Sequence, residues 1–215
     1  GERITFGQGM TNDLVGWRAR YENDCVRFSA CTDLAHEETR IGIPGGFSLY
    51  NALAALCAVQ ALGVPLRALA EALQDCTGVK GRCEVVPLPA PFTVIIDYAH
   101  TPDGLKNILS TVGTFADGRV IALFGCGGDR DKSKRPLMAH IAAKNADFVV
   151  LTSDNPRTED PYAILRDALP GLLAERTPFA VIEERRRAIA FALEEARAGD
   201  VIVLCGKGHE TYQEI

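Results

Sequence analysis

No apolar run in this sequence reaches the about 18 residues that a membrane-spanning helix needs, and no charged-then-apolar leader opens it. A membrane partner is therefore not expected. There is also no long run of Lys or Arg. The net charge is −5, and the longest basic cluster, Arg185-Arg186-Arg187, follows directly on Glu183-Glu184. That triplet reads as a solvated helix face, and the acidic balance argues against a nucleic-acid partner. The seven cysteines are odd in number and none has C-x-x-C spacing. Several lie in apolar runs, where a thiol behaves as a small hydrophobe. A reduced, cytoplasmic protein with no metal site is expected. Two nucleotide signatures are missing as well. No G-x-x-x-x-G-K-[ST] occurs, and the run Gly125-Cys126-Gly127-Gly128-Asp129-Arg130 puts Arg where a dinucleotide fingerprint needs its last Gly.

What remains is a sequence of 215 residues, 47% apolar and 24% charged. That suits a soluble globular protein of one large domain, or one domain and part of another. Residues 1–43 alternate short mixed runs such as Arg3-Ile4-Thr5-Phe6 and Val26-Arg27-Phe28-Ser29, read as strands of an irregular, antiparallel region. Phe47 to Leu62 and Pro65 to Leu73 read as helices, and Gly78 to Gly81 as a boundary and hinge. From there the pattern is strand, helix, strand, helix. Strands are expected at Phe92–Asp97, Val120–Gly125, Phe148–Thr152, Phe179–Ile182 and Val201–Cys205, with helices over 103–115, 134–145, 161–174 and 185–198. Thr101-Pro102 and Asp160-Pro161 pair an N-cap residue with Pro at the first helical position. Continuous apolar strands separated by helices predict an α/β fold, a Rossmann-like and mostly parallel sheet covered on both faces.

Polar motifs follow four of the five strands: Asp97 to Pro102, Gly125 to Asp131, Thr152 to Arg157, and Gly206 to Glu210. In a parallel sheet all four emerge on one edge and predict a ligand crevice there. Asp154 suits an ammonium group and Arg157 a two-pronged carboxylate clamp, while Asn155 suits either, so the set fits a zwitterionic amino acid. Taken alone, Asp154-Asn155-Pro156-Arg157 reads equally as a turn. The glycines after the second strand either admit an anion or only make the turn. Asp97 either meets a ribose hydroxyl or caps the next helix. His100 and His209 are acid–base candidates or structural hydrogen-bonders, and nothing is assigned to His36 or His140.

Together these motifs resemble the C-terminal half of the Mur ligases, the ATP-dependent amide ligases of peptidoglycan precursor synthesis. Phe47-x-x-Tyr50-Asn51-Ala52-x-Ala54-Ala55 resembles the end of the family's central ATPase domain, Gly81-Arg82-x-Glu84 the start of its C-terminal domain, and Asp97-Tyr98-Ala99-His100-x-Pro102 the motif after that domain's first strand. Gly128-Asp129-Arg130-Asp131-Lys132-x-Lys134-Arg135-Pro136, the Asp154–Arg157 tetrad and Gly206–Glu210 resemble the members that add the third peptide residue. The Asp-Asn-Pro-Arg form resembles those that add meso-diaminopimelate; lysine-adding members usually lack the Arg. A buried Arg stabilises the second carboxylate of diaminopimelate and is left unpaired by lysine, so it selects by penalty as well as by attraction.

The resemblance implies residues 1–80 as the end of the central ATP-binding domain and 81–215 as the amino-acid-binding C-terminal domain. It places Arg130, Asp154, Asn155, Pro156, Arg157, Gly206 and Glu210 against diaminopimelate, and Asn51, Arg82, Asp97, Tyr98 and His100 near ATP. It assigns no catalytic residue within this chain. It implies ATP and Mg²⁺, a nucleotide-sugar dipeptide as the second substrate, a monomer, and an acyl phosphate formed before the amine attacks. The family's P-loop and carbamylated lysine lie upstream of anything present here, and its members run on past the Gly-Lys-Gly-His-Glu motif. A fragment that does not turn over alone is therefore expected. Competing readings are a lysine-adding or folylpolyglutamate synthase-like ligase, and a non-catalytic amino-acid-binding module.

Overall fold

A computed structural model of the chain describes residues 3–214. The chain forms two compact units that divide between Gly78 and Val79.

In the first unit, four strands lie in sequence order: β1 (Phe6–Gly7), β2 (Leu14–Tyr21), β3 (Val26–Cys31) and β4 (His36–Ile41). The β2–β3 and β3–β4 pairs are antiparallel, but β1 runs parallel to β2, contrary to the antiparallel expectation. The irregularity anticipated here is local: pairing slips between Trp17 and Arg20, and Arg18 adopts a positive φ of 53°, as a β-bulge does. Helices α1 (Gly46–Gln60) and α2 (Leu66–Gln74) follow. Leu49, Leu53 and Leu56 of α1 bury against Leu14, Val26 and Phe28, a helical face meeting one face of a sheet.

The second unit alternates strand and helix: β5 (Glu84–Val86), β6 (Thr93–Asp97), α3 (Pro102–Val112), β7 (Val120–Phe124), α4 (Lys134–Asn145), β8 (Phe148–Leu151), α5 (Pro161–Leu173), β9 (Phe179–Val181), α6 (Arg185–Glu195) and β10 (Val201–Cys205). The sheet order is β5-β6-β10-β7-β8-β9, parallel throughout except at β5. Two helix starts follow the sequence signals: Thr101 accepts from Gly104 N–H and Asp160 from Tyr162 N–H, each with Pro at the first helical position. One sheet face buries Val94, Ile121, Leu123, Val150 and Ile202 against Ala188 and Ala192 of α6. Alternate residues such as Ala122, Phe124 and Val203 are fully buried toward the other side, where α3 and α4 pack. Burial of both faces is why these strands read as unbroken apolar runs.

Chain order and spatial order differ in one way that shapes the crevice. The last strand, β10, inserts between β6 and β7, so the loop after it rises between theirs. Asp200 pins that insertion. Its carboxylate, 4% exposed, accepts from the Arg119 N–H at 2.8 Å, the Arg119 guanidinium at 2.7 Å and the Arg197 N–H at 2.9 Å. Arg119 precedes β7 as Asp200 precedes β10, so one side chain sets the start of two central strands. Burial opposes the charge on Asp200, but the Arg119 hydrogen bonds and the backbone donors outweigh it and hold the carboxyl below its usual range. Its stabilisation is therefore full above the unfolded carboxyl pKa of about 4 and is lost as pH falls through the lower folded value. Asp200→Ala should cost about 2–3 kcal/mol at neutral pH, with the deficit shrinking in acid. Urea denaturation at several pH values checks this; a pH-independent deficit would contradict it.

Candidate functional site: a charged crevice at the carboxyl ends of the strands

The loops after β6, β7, β8 and β10 surround a cavity of about 350 Å³. Its shape starts with glycine. The Gly128 N–H donates to Asn155 O at 2.9 Å, and a Cβ at Gly128 would lie 1.9 Å from the Pro156 carbonyl oxygen. The glycines after β7 thus let that loop lie directly on the loop after β8.

An ion network locks the two loops. The Glu159 carboxylate accepts from the Asp129 N–H at 2.7 Å and from the Arg135 guanidinium at 2.7 and 3.0 Å. Arg135, 1% exposed, also donates to Asp167 at 2.7 Å. In return the Asp129 carboxylate accepts from the Thr158 hydroxyl at 2.7 Å. The Arg135 hydrogen bonds, then the Asp129 N–H, hold the Glu159 carboxyl down at about 2.

The Asp154–Arg157 tetrad sits on this platform. Asn155 is buried and fully engaged: its Oδ1 accepts from Lys207 Nζ at 2.7 Å and from the Glu214 N–H at 3.0 Å, and its Nδ2 donates to Glu210 at 3.4 Å. It joins the β8 loop to the chain beyond β10. Lys207 also donates to Glu210 at 3.0 Å, and the Tyr98 hydroxyl to Glu210 at 3.3 Å. Burial raises the Glu210 pKa, but Lys207, Asn155 and Tyr98 together bring it below the ordinary value, so Glu210 is ionised. Sequence reasoning assigned nothing to Lys207, although it stands inside the Gly206–Glu210 motif.

Asp154 differs from Asn155. Its carboxylate lines the cavity and has no hydrogen-bond partner among the described residues. It lies so near Gly206, which has φ 107°, that a Cβ there would be 2.8 Å from Asp154 Oδ2; only glycine fits. Arg130 borders the same cavity, its one hydrogen bond a 3.4 Å contact to the Asp129 carbonyl. Arg157 borders it too, with φ 54° and its Nη1 donating to Gly128 O at 2.9 Å. Cys126 also faces the cavity, but burial pushes its thiol up to about 12, so it is protonated.

The residues expected near ATP fall in both units. Asn51 is exposed on α1 of the first. In the second, Asp97 uses both carboxylate oxygens on backbone: Oδ1 accepts from the Ala99 N–H and Oδ2 from the Cys83 N–H, both at 2.8 Å. Around the Tyr98 ring gather the Arg82 guanidinium at 5.0 Å, His100 at 4.8 Å and His209 at 5.8 Å. His140 and His36, left unassigned, lie 3.2 Å from Glu175 and 3.5 Å from Glu38.

One expectation needs correction. Arg186 and Arg187 are exposed, as a solvated face requires, but Arg185 is not. Its guanidinium donates to Cys205 O at 2.8 Å and Ser153 O at 3.4 Å. Those carbonyls immediately precede Gly206 and Asp154, so Arg185 staples the two site-bearing strand ends from beneath. Burial pushes its pKa down, against the pull of the Asp154 and Glu210 carboxylates. Arg185→Ala should lower stability by about 1–3 kcal/mol, and Arg186→Ala by less than about 0.5 kcal/mol. Equal urea midpoints for the two variants would return Arg185 to the solvated face.

Fold and crevice define a class first: a Rossmann-like α/β domain whose strand ends frame a charged, small-molecule-sized cavity. Residues 81–208 match the family model described as Mur ligase, glutamate ligase domain, and the chain belongs to the Mur ligase family. It is 53% identical, over its whole length, to the UDP-N-acetylmuramoyl-L-alanyl-D-glutamate–2,6-diaminopimelate ligase of Caldanaerobacter subterraneus subsp. tengcongensis. It is 45% identical over 99% of its length to the protein of that name from Clostridium botulinum. The chain spans 44% of the length of each. A solved structure of a ligase with the same name aligns over 99% of this chain and 44% of its own, with 38% identity and a TM-score of 0.80.

Proposed function

We propose that this chain supplies the amino-acid-binding part of an ATP-dependent ligase that adds meso-diaminopimelate to UDP-N-acetylmuramoyl-L-alanyl-D-glutamate in peptidoglycan precursor synthesis. The observation that carries the reading is the charge left over in the crevice. Asp154 has no hydrogen-bond partner among the described residues, and Arg130, Lys134 and Arg157 line the same cavity, Arg157 through the donors left beside its 2.8 Å ion pair with Glu214. An unpartnered carboxylate facing several cationic side chains suits a ligand bearing an ammonium and two carboxylates. The names of the similar proteins point to the same ligand.

In such a reaction ATP converts the dipeptide's free carboxylate into an acyl phosphate, and the incoming amine displaces phosphate. The chain's own residues bind and orient the incoming amino acid. Asp154 holds an ammonium, Arg157 clamps the carboxylate at the far end, and Arg130 meets the other. Asn155, Gly206 and Glu210 form the wall, Glu210 already neutralised by Lys207, while Pro156 is buried and does not line the cavity. The Arg82–Tyr98–His100 cluster and Asp97 are assigned to ATP, and within the first unit Asn51 is assigned to it. Holding the amine in place lowers the entropic part of the barrier.

Mg²⁺ belongs to the same chemistry. Among the described residues, Glu22, Asp24 and Cys25 bring one ligand atom each within 4.8 Å of one another. The Cys25 thiol, though, donates to Glu22 and is pushed up to about 12, chiefly by burial. Mg²⁺ takes oxygen ligands, so this set does not suit it. The intact ligase is read as a cytoplasmic monomer that handles only small molecules; no described helix is long and apolar enough to cross a membrane.

Calorimetric titration of the chain tests the assignment. Meso-diaminopimelate should bind more tightly than L-lysine, and Arg157→Ala should weaken it by about ten- to a hundred-fold, the loss of a charge-assisted pair. Preference for lysine, or an Arg157→Ala variant with unchanged affinity, would overturn it.

A further inference from the structure

The guanidinium of Arg157 is held from two sides. Nη1 donates to the Gly128 carbonyl at 2.9 Å, and Nε meets Glu214 Oε2 at 2.8 Å. Glu214 is itself fixed at its backbone. Its N–H donates to Asn155 Oδ1 at 3.0 Å, and its carbonyl accepts from the Arg157 N–H at 3.3 Å. Gln213 beside it donates through Nε2 to Asp154 O at 2.5 Å. The segment after the Gly206–Glu210 motif thus lies along the Asp154–Arg157 loop. Arg157 lines the cavity and Glu214 does not. The carboxylate therefore approaches from behind the guanidinium.

We infer that Glu214 is a positioning residue that fixes the Arg157 guanidinium for a ligand carboxylate and so helps set amino-acid specificity; this rests on Arg157 being the carboxylate clamp proposed above. A guanidinium has five N–H donors in one plane. With Nε committed to Glu214 and Nη1 to the Gly128 and Asn155 carbonyls at 2.9 and 3.5 Å, the plane is defined and Nη2 keeps its donors. A carboxylate arriving from the cavity meets a guanidinium already oriented, and the side-chain entropy of ordering Arg157 is not lost on binding. Alternatively, Glu214 could compete with the ligand for Arg157. Its place outside the cavity and its two backbone hydrogen bonds favour support over competition.

The 215-residue chain and three variants, Glu214→Ala, Glu214→Gln and Arg157→Ala, are titrated with meso-diaminopimelate and with L-lysine, alongside the double variant Arg157→Ala/Glu214→Ala. Glu214→Ala should weaken diaminopimelate binding by about five- to ten-fold, as expected for two groups in one hydrogen-bonded network. Lysine affinity and the thermal midpoint should stay unchanged. Glu214→Gln, which keeps an acceptor for Nε, should recover part of the loss. In the Arg157→Ala background, Glu214→Ala should add nothing. If Arg157→Ala weakens binding but Glu214→Ala does not, or tightens it, the positioning role is wrong and the clamp stands. If Arg157→Ala leaves diaminopimelate binding unchanged, the clamp falls and Glu214 with it.

Discussion

The close contact of two loops is the constraint on which the crevice depends. Gly128 approaches the Pro156 carbonyl so nearly that no Cβ fits between them. That contact brings the Gly128 carbonyl within reach of Arg157 Nη1 and carries Arg130 to the cavity that Asp154 lines. The Glu159–Arg135–Asp167 network secures it from one side, and the reciprocal Asp129–Thr158 hydrogen bond from another. A buried Arg paired with two carboxylates is costly to assemble and costlier to break, which suits a joint that must not slip.

The same economy governs charge within the crevice. Glu210 and Lys207 neutralise each other, Asn155 spends both ends of its amide on protein partners, and Arg185 caps carbonyls under the floor. These groups are scaffold, and what they leave for a ligand is small: the Asp154 carboxylate, the Lys134 ammonium and the free donors of Arg130 and Arg157. Selectivity follows from that remainder. On the proposed reading, a ligand lacking the far carboxylate leaves the remaining donors of Arg157 unmatched, and that cost separates diaminopimelate from lysine.

Much of this was legible in the sequence, for physical reasons. Strands buried on both faces are continuous apolar runs, helices announced by Thr101-Pro102 and Asp160-Pro161 have unmistakable starts, and polar motifs after four strands converge on one edge of a parallel sheet. What escaped lacks such signatures. Strand β5 is three half-buried residues with no alternation, paired antiparallel at the sheet edge. The parallel pairing of β1 with β2 involves two residues. Strands β7 and β8 stop at Phe124 and Leu151, one residue short of expectation, where a Cβ at Gly125 would lie 2.6 Å from the Thr152 carbonyl oxygen. Arg185 is indistinguishable from Arg186 and Arg187 by composition; only its place at the first turn of α6 sends it toward the strand ends. Glu214 carries no signal until its segment is seen lying on the Asp154–Arg157 loop.

On the proposed reading, Asp154, Arg130 and Arg157 bind an amino acid with two carboxylates. A crystal structure of the chain with meso-diaminopimelate tests it most directly. One ligand carboxylate should meet Arg157 while the Glu214 and Gly128 contacts persist, and an ammonium should meet Asp154. Diaminopimelate bound elsewhere, or bound with Arg157 untouched, would contradict the account.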